Sequence, residues 1–293
     1  MKTLHIDPII EQTQNDWTSN QANMEAVKAL EIGQVLRYKN LPFKLLPEEI
    51  ELLTPDRIDP KVRNISFNAE GLLKGVVGDR VIQQNAKRLI QRFRELSVEL
   101  IRTSFPKYVD SLKVAPTSFR PNLVETRIQS WRADDRRLHV DAFPSRPNYG
   151  ERILRVFINL NPAGVSRVWR VGEPFEEIVQ RFKSDISPYS PLKAKILNSL
   201  GITKSYRSEY DHMMLNLHDL MKADTSYQAS SAQKQVEFLP GEVWVCFSDQ
   251  TAHAAMSGQF MMEQTLHLPA SAQYNPDMSP LGVLEKVMGR RLT

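Results

Sequence analysis

The run Leu138-His139-Val140-Asp141 sets an imidazole and a carboxylate two residues apart, between the turn-like charges Asp134-Asp135-Arg136-Arg137 and the segment Ala142-Phe143-Pro144. Successive side chains of an extended chain point to opposite faces, so His139 and Asp141 share one. Such a pair offers two adjacent ligands to a divalent metal. A third stands 114 positions on, where Ser248-Asp249-Gln250-Thr251-Ala252-His253 follows a strand-like run. Two imidazoles and a carboxylate on one face of a metal, with the opposite positions open, form the donor set of non-haem Fe(II) oxygenases. Taken alone, His139 reads first as a satisfied core or surface imidazole. The context of strands around both segments favours the metal.

Arg155 lies in Arg152-Ile153-Leu154-Arg155-Val156-Phe157-Ile158-Asn159-Leu160, a strand pattern apolar on both faces and hence interior. A guanidinium cannot shed its charge, so a buried one needs an anion. Two partners are open: an internal Asp or Glu, or an external carboxylate met by the bidentate fork. Beside an Fe(II) site the external candidate is 2-oxoglutarate, with Arg120, Arg167 and Trp169 on neighbouring strands; Arg167 and Trp169 share a strand face. Core filling for Trp169 and solvated charge for the two arginines are the plainer alternatives. No Gly-x-Ser-x-Gly elbow, P-loop or paired cysteine points to other chemistry.

Strands must carry these residues. Lys113 to Arg120, Val124 to Arg132, Leu138 to Phe143, Ile153 to Leu160, Val165 to Val171, Gly241 to Phe247 and two more within Ala254 to Leu268 predict a double-sheet jelly roll. Before them, apolar residues from Ile82 to Ile101 recur at three- and four-residue steps, which predicts a long amphipathic helix over Val81–Ser104, ended by Phe105-Pro106. A short helix is expected from Gln21 to Leu30. A helical insertion is expected at about 175–225, where His218 could line a substrate pocket. Ser279-Pro280 starts a final helix. The expected class is α+β: a double-stranded β-helix (jelly roll, cupin-like) with flanking helices and a helical insertion. The chain reads as a single domain over 1–293, with a mainly helical N-terminal segment (1–112), a jelly-roll core (113–275) and a C-terminal helix (276–293).

The 293 residues, 41% hydrophobic and 25% charged, suit a globular chain with a real core. The 38 basic and 34 acidic residues leave +4, too little to call for nucleic acid but compatible with an anionic small molecule or membrane surface. One cysteine and no apolar stretch of membrane-spanning length suggest a cytoplasmic location.

Several stretches are more specific: Asn64-Ile65-Ser66, Ser118-Phe119-Arg120-Pro121, Asp134 through Ser145, Arg152 through Asn159, Val168 through Phe175, and Ser248 through His253. In these the chain closely resembles the bacterial 3-deoxy-D-manno-oct-2-ulosonic acid (Kdo) hydroxylases, from about Ala29 to the C-terminal helix. The resemblance implies an Fe(II)-, 2-oxoglutarate- and O2-dependent dioxygenase acting at carbon 3 of Kdo in the lipid A-linked inner core of lipopolysaccharide. It implies that His139, Asp141 and His253 hold iron. It also implies that Arg155 clamps the far carboxylate of 2-oxoglutarate, with Arg120, Arg167 and Trp169 around it. Many members of the wider superfamily place that clamp about ten residues past the second His; Met262-Glu263-Gln264-Thr265 has no Arg, which favours Arg155. The implied partner is Kdo-containing lipid A, with peripheral attachment to the cytoplasmic face of the inner membrane, no nucleic acid and no protein partner. The rival readings are a dioxygenase acting on a protein side chain or methylated base, and a non-enzymatic jelly-roll carbohydrate-binding module.

Overall fold

The computed structural model describes residues 6–18, 23–126 and 129–293. Its strands are β1 (Ile9–Gln12), β2 (Val35–Tyr38), β3 (Ile65–Phe67), β4 (Leu73–Lys74), β5 (Lys113–Arg120), β6 (Glu151–Asn159), β7 (Arg167–Gly172), β8 (Gln233–Phe238), β9 (Val243–Phe247), β10 (His253–Ser257) and β11 (Met261–Pro269). Its helices are α1 (Met24–Glu31), α2 (Pro47–Ile50), α3 (Arg80–Ser104), α4 (Phe175–Phe182), α5 (Pro191–Ser199), α6 (Glu209–Ala223), α7 (Thr225–Ser230) and α8 (Pro280–Met288).

The strands form an eight-stranded sheet, ordered β1-β2-β9-β6-β11-β5-β3-β4, and a three-stranded sheet, β10-β7-β8. Among the described residues only the β1–β2 pair is parallel. The period of two then sorts the core. Leu154, Val156 and Ile158 of β6 pack with α3 on the outer face of the large sheet. Phe157 of the same strand joins Trp244, Trp169 and Phe238 between the sheets. Trp244 stacks on Phe157 at 5.3 Å and on Phe238 at 4.2 Å, closing one end of a jelly-roll sandwich.

The helix expected over Val81–Ser104 is α3. It is capped by Asp79, whose side chain accepts from Ile82 N at 2.9 Å, and it buries its stripe from Ile82 to Ile101. The short N-terminal helix is Met24–Glu31; positions 21 and 22 lie outside the described residues. The insertion runs through α4–α7 and packs by Phe175, Ile178, Met214 and Leu217 over Leu138, Val140 and Ala254. Ser279 caps α8 as anticipated.

Two expected strands are corrected. The described residues of Val124 to Arg132 are turn and loop, because β5 already pairs with β3 on one edge and β11 on the other. Leu138 to Phe143 makes only one ladder pair, His139 with His253. Five strands escaped the sequence. β1–β4 add the N-terminal segment to the large sheet besides its helices, and β8 reads as polar because its apolar residues are only Val236 and Phe238, the pair that faces the inter-sheet cluster.

Candidate metal centre

The single bridge does what a full strand was expected to do. His139 and His253 each donate a backbone N–H to the other's carbonyl, at 3.1 and 2.9 Å, and Asp141 N donates to Ser248 O at 2.8 Å. The side chains of His139, Asp141 and His253 therefore converge, one ligand atom of each lying within 4.8 Å of the others. His139 Nε2 is 3.7 Å from Asp141 Oδ1. His139 Nδ1 lies 2.7 Å from Arg137 O, and His253 Nδ1 2.9 Å from Thr251 O. A carbonyl only accepts, so each Nδ1 bears the proton and each Nε2 keeps its lone pair.

The electrostatics suit a metal as well. Burial holds both imidazoles below the ordinary histidine range, and the neighbouring His253 and Lys222 lower His139 further. Burial would raise the Asp141 carboxyl, but Arg155 and then the two imidazoles outweigh it, leaving the group below the usual carboxylate range. Neutral imidazoles beside an ionised carboxylate are the protonation state that binds a cation.

The turn before His253 is tied down on every side. Arg152, fully buried over the Phe247 ring at 3.8 Å, donates from Nε to Asp249 Oδ2 at 2.8 Å. Gln250 Nε2 donates to the carbonyls of Glu31 and Met278, and Thr251 Oγ1 to Gly33 O. The Trp169 indole stacks on the His253 ring at 5.0 Å, and His218 of α6 meets the His139 ring edge-on at 5.4 Å.

The seven residues that the sequence assigned to the metal and the cosubstrate line one cavity of about 160 Å³, and His218 is not among its lining residues. Arg155 Nη2 lies 3.1 Å from Asp141 Oδ2, and Nη1 lies 3.6 Å from Glu263 Oε2. Arg120 donates from Nη2 to Glu263 Oε1 at 2.8 Å, with Nη1 3.7 Å from Asp135. Arg167 donates to Gly258 O at 3.1 Å. The internal partner for Arg155 thus exists, in two carboxylates. Yet its Nε, Arg120 Nε and the Trp169 indole N–H are buried without a hydrogen-bond acceptor. These donors, on residues around one small space beside the metal ligands, match the needs of a carboxylate ligand.

The family of 3-deoxy-D-manno-oct-2-ulosonic acid (Kdo) hydroxylases matches residues 13–291, a span that contains all of these positions. The chain belongs to the Kdo hydroxylase family. It is 43% identical to a Kdo hydroxylase, KdoO, described as a non-haem Fe(II) alpha-ketoglutarate-dependent dioxygenase. The cobalt(II) complex of KdoO superposes with a TM-score of 0.94 over 98% of this chain and 97% of that one. Its complex with alpha-ketoglutarate and Fe(III) gives 0.93, covering 98% of each chain. Its complex with succinate and Fe(III) gives 0.92 over 98% and 97%. A comparison with curated proteins returns no match.

In this Kdo hydroxylase family member, sequence reading missed Glu263 and Asp135. Glu263 is buried in β11 facing the cavity, where burial raises its carboxyl but Arg120 and Arg155 bring it below its usual range. A signal existed: a lone carboxylate in the strand Met261-Met262-Glu263-Gln264, with period two placing it beside Met261 on the inner face. Asp135 pairs with Arg63 and Arg120, and nothing local distinguished it within a turn-like run of charges. The suggestion that His218 could line a substrate pocket becomes a direct ring contact with His139.

Proposed function

We propose that the chain hydroxylates carbon 3 of Kdo in the lipid A-linked inner core, consuming 2-oxoglutarate and O2 and releasing succinate and CO2. The enzyme is an Fe(II)/2-oxoglutarate-dependent dioxygenase. His139, Asp141 and His253 hold the iron, and Arg155, Arg120, Arg167 and Trp169 surround the cosubstrate. The observation that carries this reading is the convergence of a His-Asp-His donor set and a cage of arginines on one cavity. The donors would suit a first-row divalent ion: two neutral nitrogens and one anionic oxygen. Bound iron supplies the activation of O2 that no side chain can perform.

The chain's own residues do the rest. Arg137 O and Thr251 O fix the imidazole tautomers, and Trp169 holds the His253 ring flat against the inter-sheet aromatics. Glu263 and Asp135 hold Arg120, and Glu263 with Asp141 holds Arg155, so the guanidinium groups are oriented before a dicarboxylate arrives. Met261, Phe157 and Phe143 provide apolar cavity walls.

The enzyme works peripherally at the cytoplasmic face of the inner membrane, where its lipid-linked substrate lies. Among the described residues, no helix is long and apolar enough to cross a membrane. The test is incubation of iron-loaded protein with 2-oxoglutarate, O2 and Kdo-bearing lipid A. Iron-dependent succinate release with a gain of one oxygen atom on the Kdo is expected. Succinate without modified Kdo would move the substrate to another class, and no succinate with any substrate would leave a binding module.

A further inference from the structure

Between Asp185 and Glu209 the chain carries Lys193, Lys195, Lys204 and Arg207 and no acidic residue. Helix α5 lies in this stretch, started by Ser190, whose side chain accepts from Lys193 N at 3.2 Å. Ala194 is its only buried residue. Leu192, Ile196 and Leu200, spaced four apart, stand on one side and are 69%, 50% and 68% exposed, and the following Ile202 is 56% exposed. A soluble helix normally turns such a stripe toward the core. An exposed apolar ridge flanked by lysines offers a lipid surface both apolar area and positive charge.

The other basic surfaces lack such a ridge: beside the exposed Arg80, Lys87, Arg88 and Arg102 of α3, that helix exposes no large apolar residue except Val81. On α3, Arg92 pairs with Glu49 and Arg94 donates to Thr117. At the C-terminus, Arg290 pairs with Glu209 and Arg291 with Glu285. The exposed lysines of the α5 stretch sit beside the ridge with no carboxylate in their own segment. The inner side of α5 adds a second argument. With Trp131, Tyr189 and Asp219, Ala194 and Leu197 line a cavity of about 590 Å³. Asp219 Oδ1 lies 3.0 Å from His218 Nδ1, and the His218 ring touches His139. The wall of the α5 cavity is therefore one residue removed, through Asp219 and His218, from the ring of His139.

We propose that α5 and the turn after it are the membrane-docking element, with Leu192, Ile196, Leu200 and Ile202 entering the acyl boundary of an anionic bilayer and the lysines meeting its phosphates. The assignment rests on the peripheral-membrane reading above. It brings the α5 cavity to the headgroup level of that bilayer.

The test uses the iron-loaded full chain and vesicles of phosphatidylglycerol and phosphatidylethanolamine, with phosphatidylcholine vesicles as control. The triple variant Leu192→Ser/Ile196→Ser/Leu200→Ser should partition into anionic vesicles at least tenfold more weakly, with 2-oxoglutarate binding unchanged. In a second arm, Ile196→Cys is labelled with an environment-sensitive fluorophore, which the buried Cys246 does not take up. The label should blue-shift on anionic vesicles only. Unchanged partition of the triple variant, or a label that stays in water, overturns the surface while leaving membrane association standing. No vesicle binding by the wild type removes both. A switch from dimer to monomer in the triple variant, with vesicle binding intact, would make the ridge a contact between copies and overturn the assignment.

Discussion

His139→Ala and His253→Ala each remove one neutral nitrogen from a three-donor set and should abolish metal binding and turnover. Circular dichroism should remain that of the wild type, since neither ring is part of the apolar clusters. Isothermal titration with Co(II) reads the loss directly. Arg155 is a different case, because it neutralises both Asp141 and Glu263. Arg155→Lys keeps the charge without the fork, so the KM for 2-oxoglutarate should rise while partial turnover remains. Arg155→Ala should weaken 2-oxoglutarate by about 2–5 kcal/mol, read from the metal-to-ligand charge-transfer band. It should also destabilise the fold by roughly 3–5 kcal/mol, since the buried Glu263 and the partly buried Asp141 both lose a partner. Wild-type 2-oxoglutarate affinity in Arg155→Ala would hand the clamp to Arg120 or Arg167. Glu263 lends itself to a pH test. Its folded carboxyl is held below its usual range, so its contribution to stability is present above the unfolded value of about 4.3 and is lost as pH falls through the folded one. Glu263→Gln should therefore have a lower thermal midpoint at pH 7, and the difference from wild type should shrink below about pH 4.

At the scale of elements, the site hangs on turns more than on strands. Gly258 joins β10 to β11 at φ +111°, and its carbonyl accepts from both Arg167 Nη1 and Val124 N. A Cβ there would lie 3.0 Å from Ser166 O and 3.1 Å from Arg167 Cα. Gly258→Ala should cost about 1–3 kcal/mol through the strained backbone. It should also raise the KM for 2-oxoglutarate by displacing Arg167, while leaving Co(II) affinity intact. Differential scanning fluorimetry and steady-state kinetics check the two halves, and equal loss of metal and cosubstrate binding would mean general unfolding.

For the whole molecule, the excess of positive charge is small, +4 over 293 residues, so the membrane attraction proposed above rests on where charge is placed. Flotation with anionic vesicles should fall steeply between low and high salt, because exposed lysines are screened beyond roughly 10 Å at 0.1 M. The apolar ridge should leave a residual, salt-resistant fraction. Binding indifferent to salt would point to apolar contact alone.

Local rules decided much of this protein before any fold was drawn. Period two put His139 with Asp141 and Arg167 with Trp169, and the three- and four-residue stripe made α3, because backbone geometry alone sets those spacings. A guanidinium in an apolar strand announced an anionic partner, though not which one. The resemblance to Kdo hydroxylases named the family and its cosubstrate. The rest is non-local. His253 reaches His139 through one bridge that depends on how β10 is placed, and β5 had no edge left for the strand expected after it. Glu263 and Asp135 meet Arg120 only because sheet register brings β11 and the 134–137 turn to the end of β5. The apolar stripe of α5 looks in sequence like any core-facing helix, and only the tertiary arrangement turns it to the outside. Side-chain alternation is written into each segment, whereas partner, burial and exposure depend on which segments the fold sets beside it.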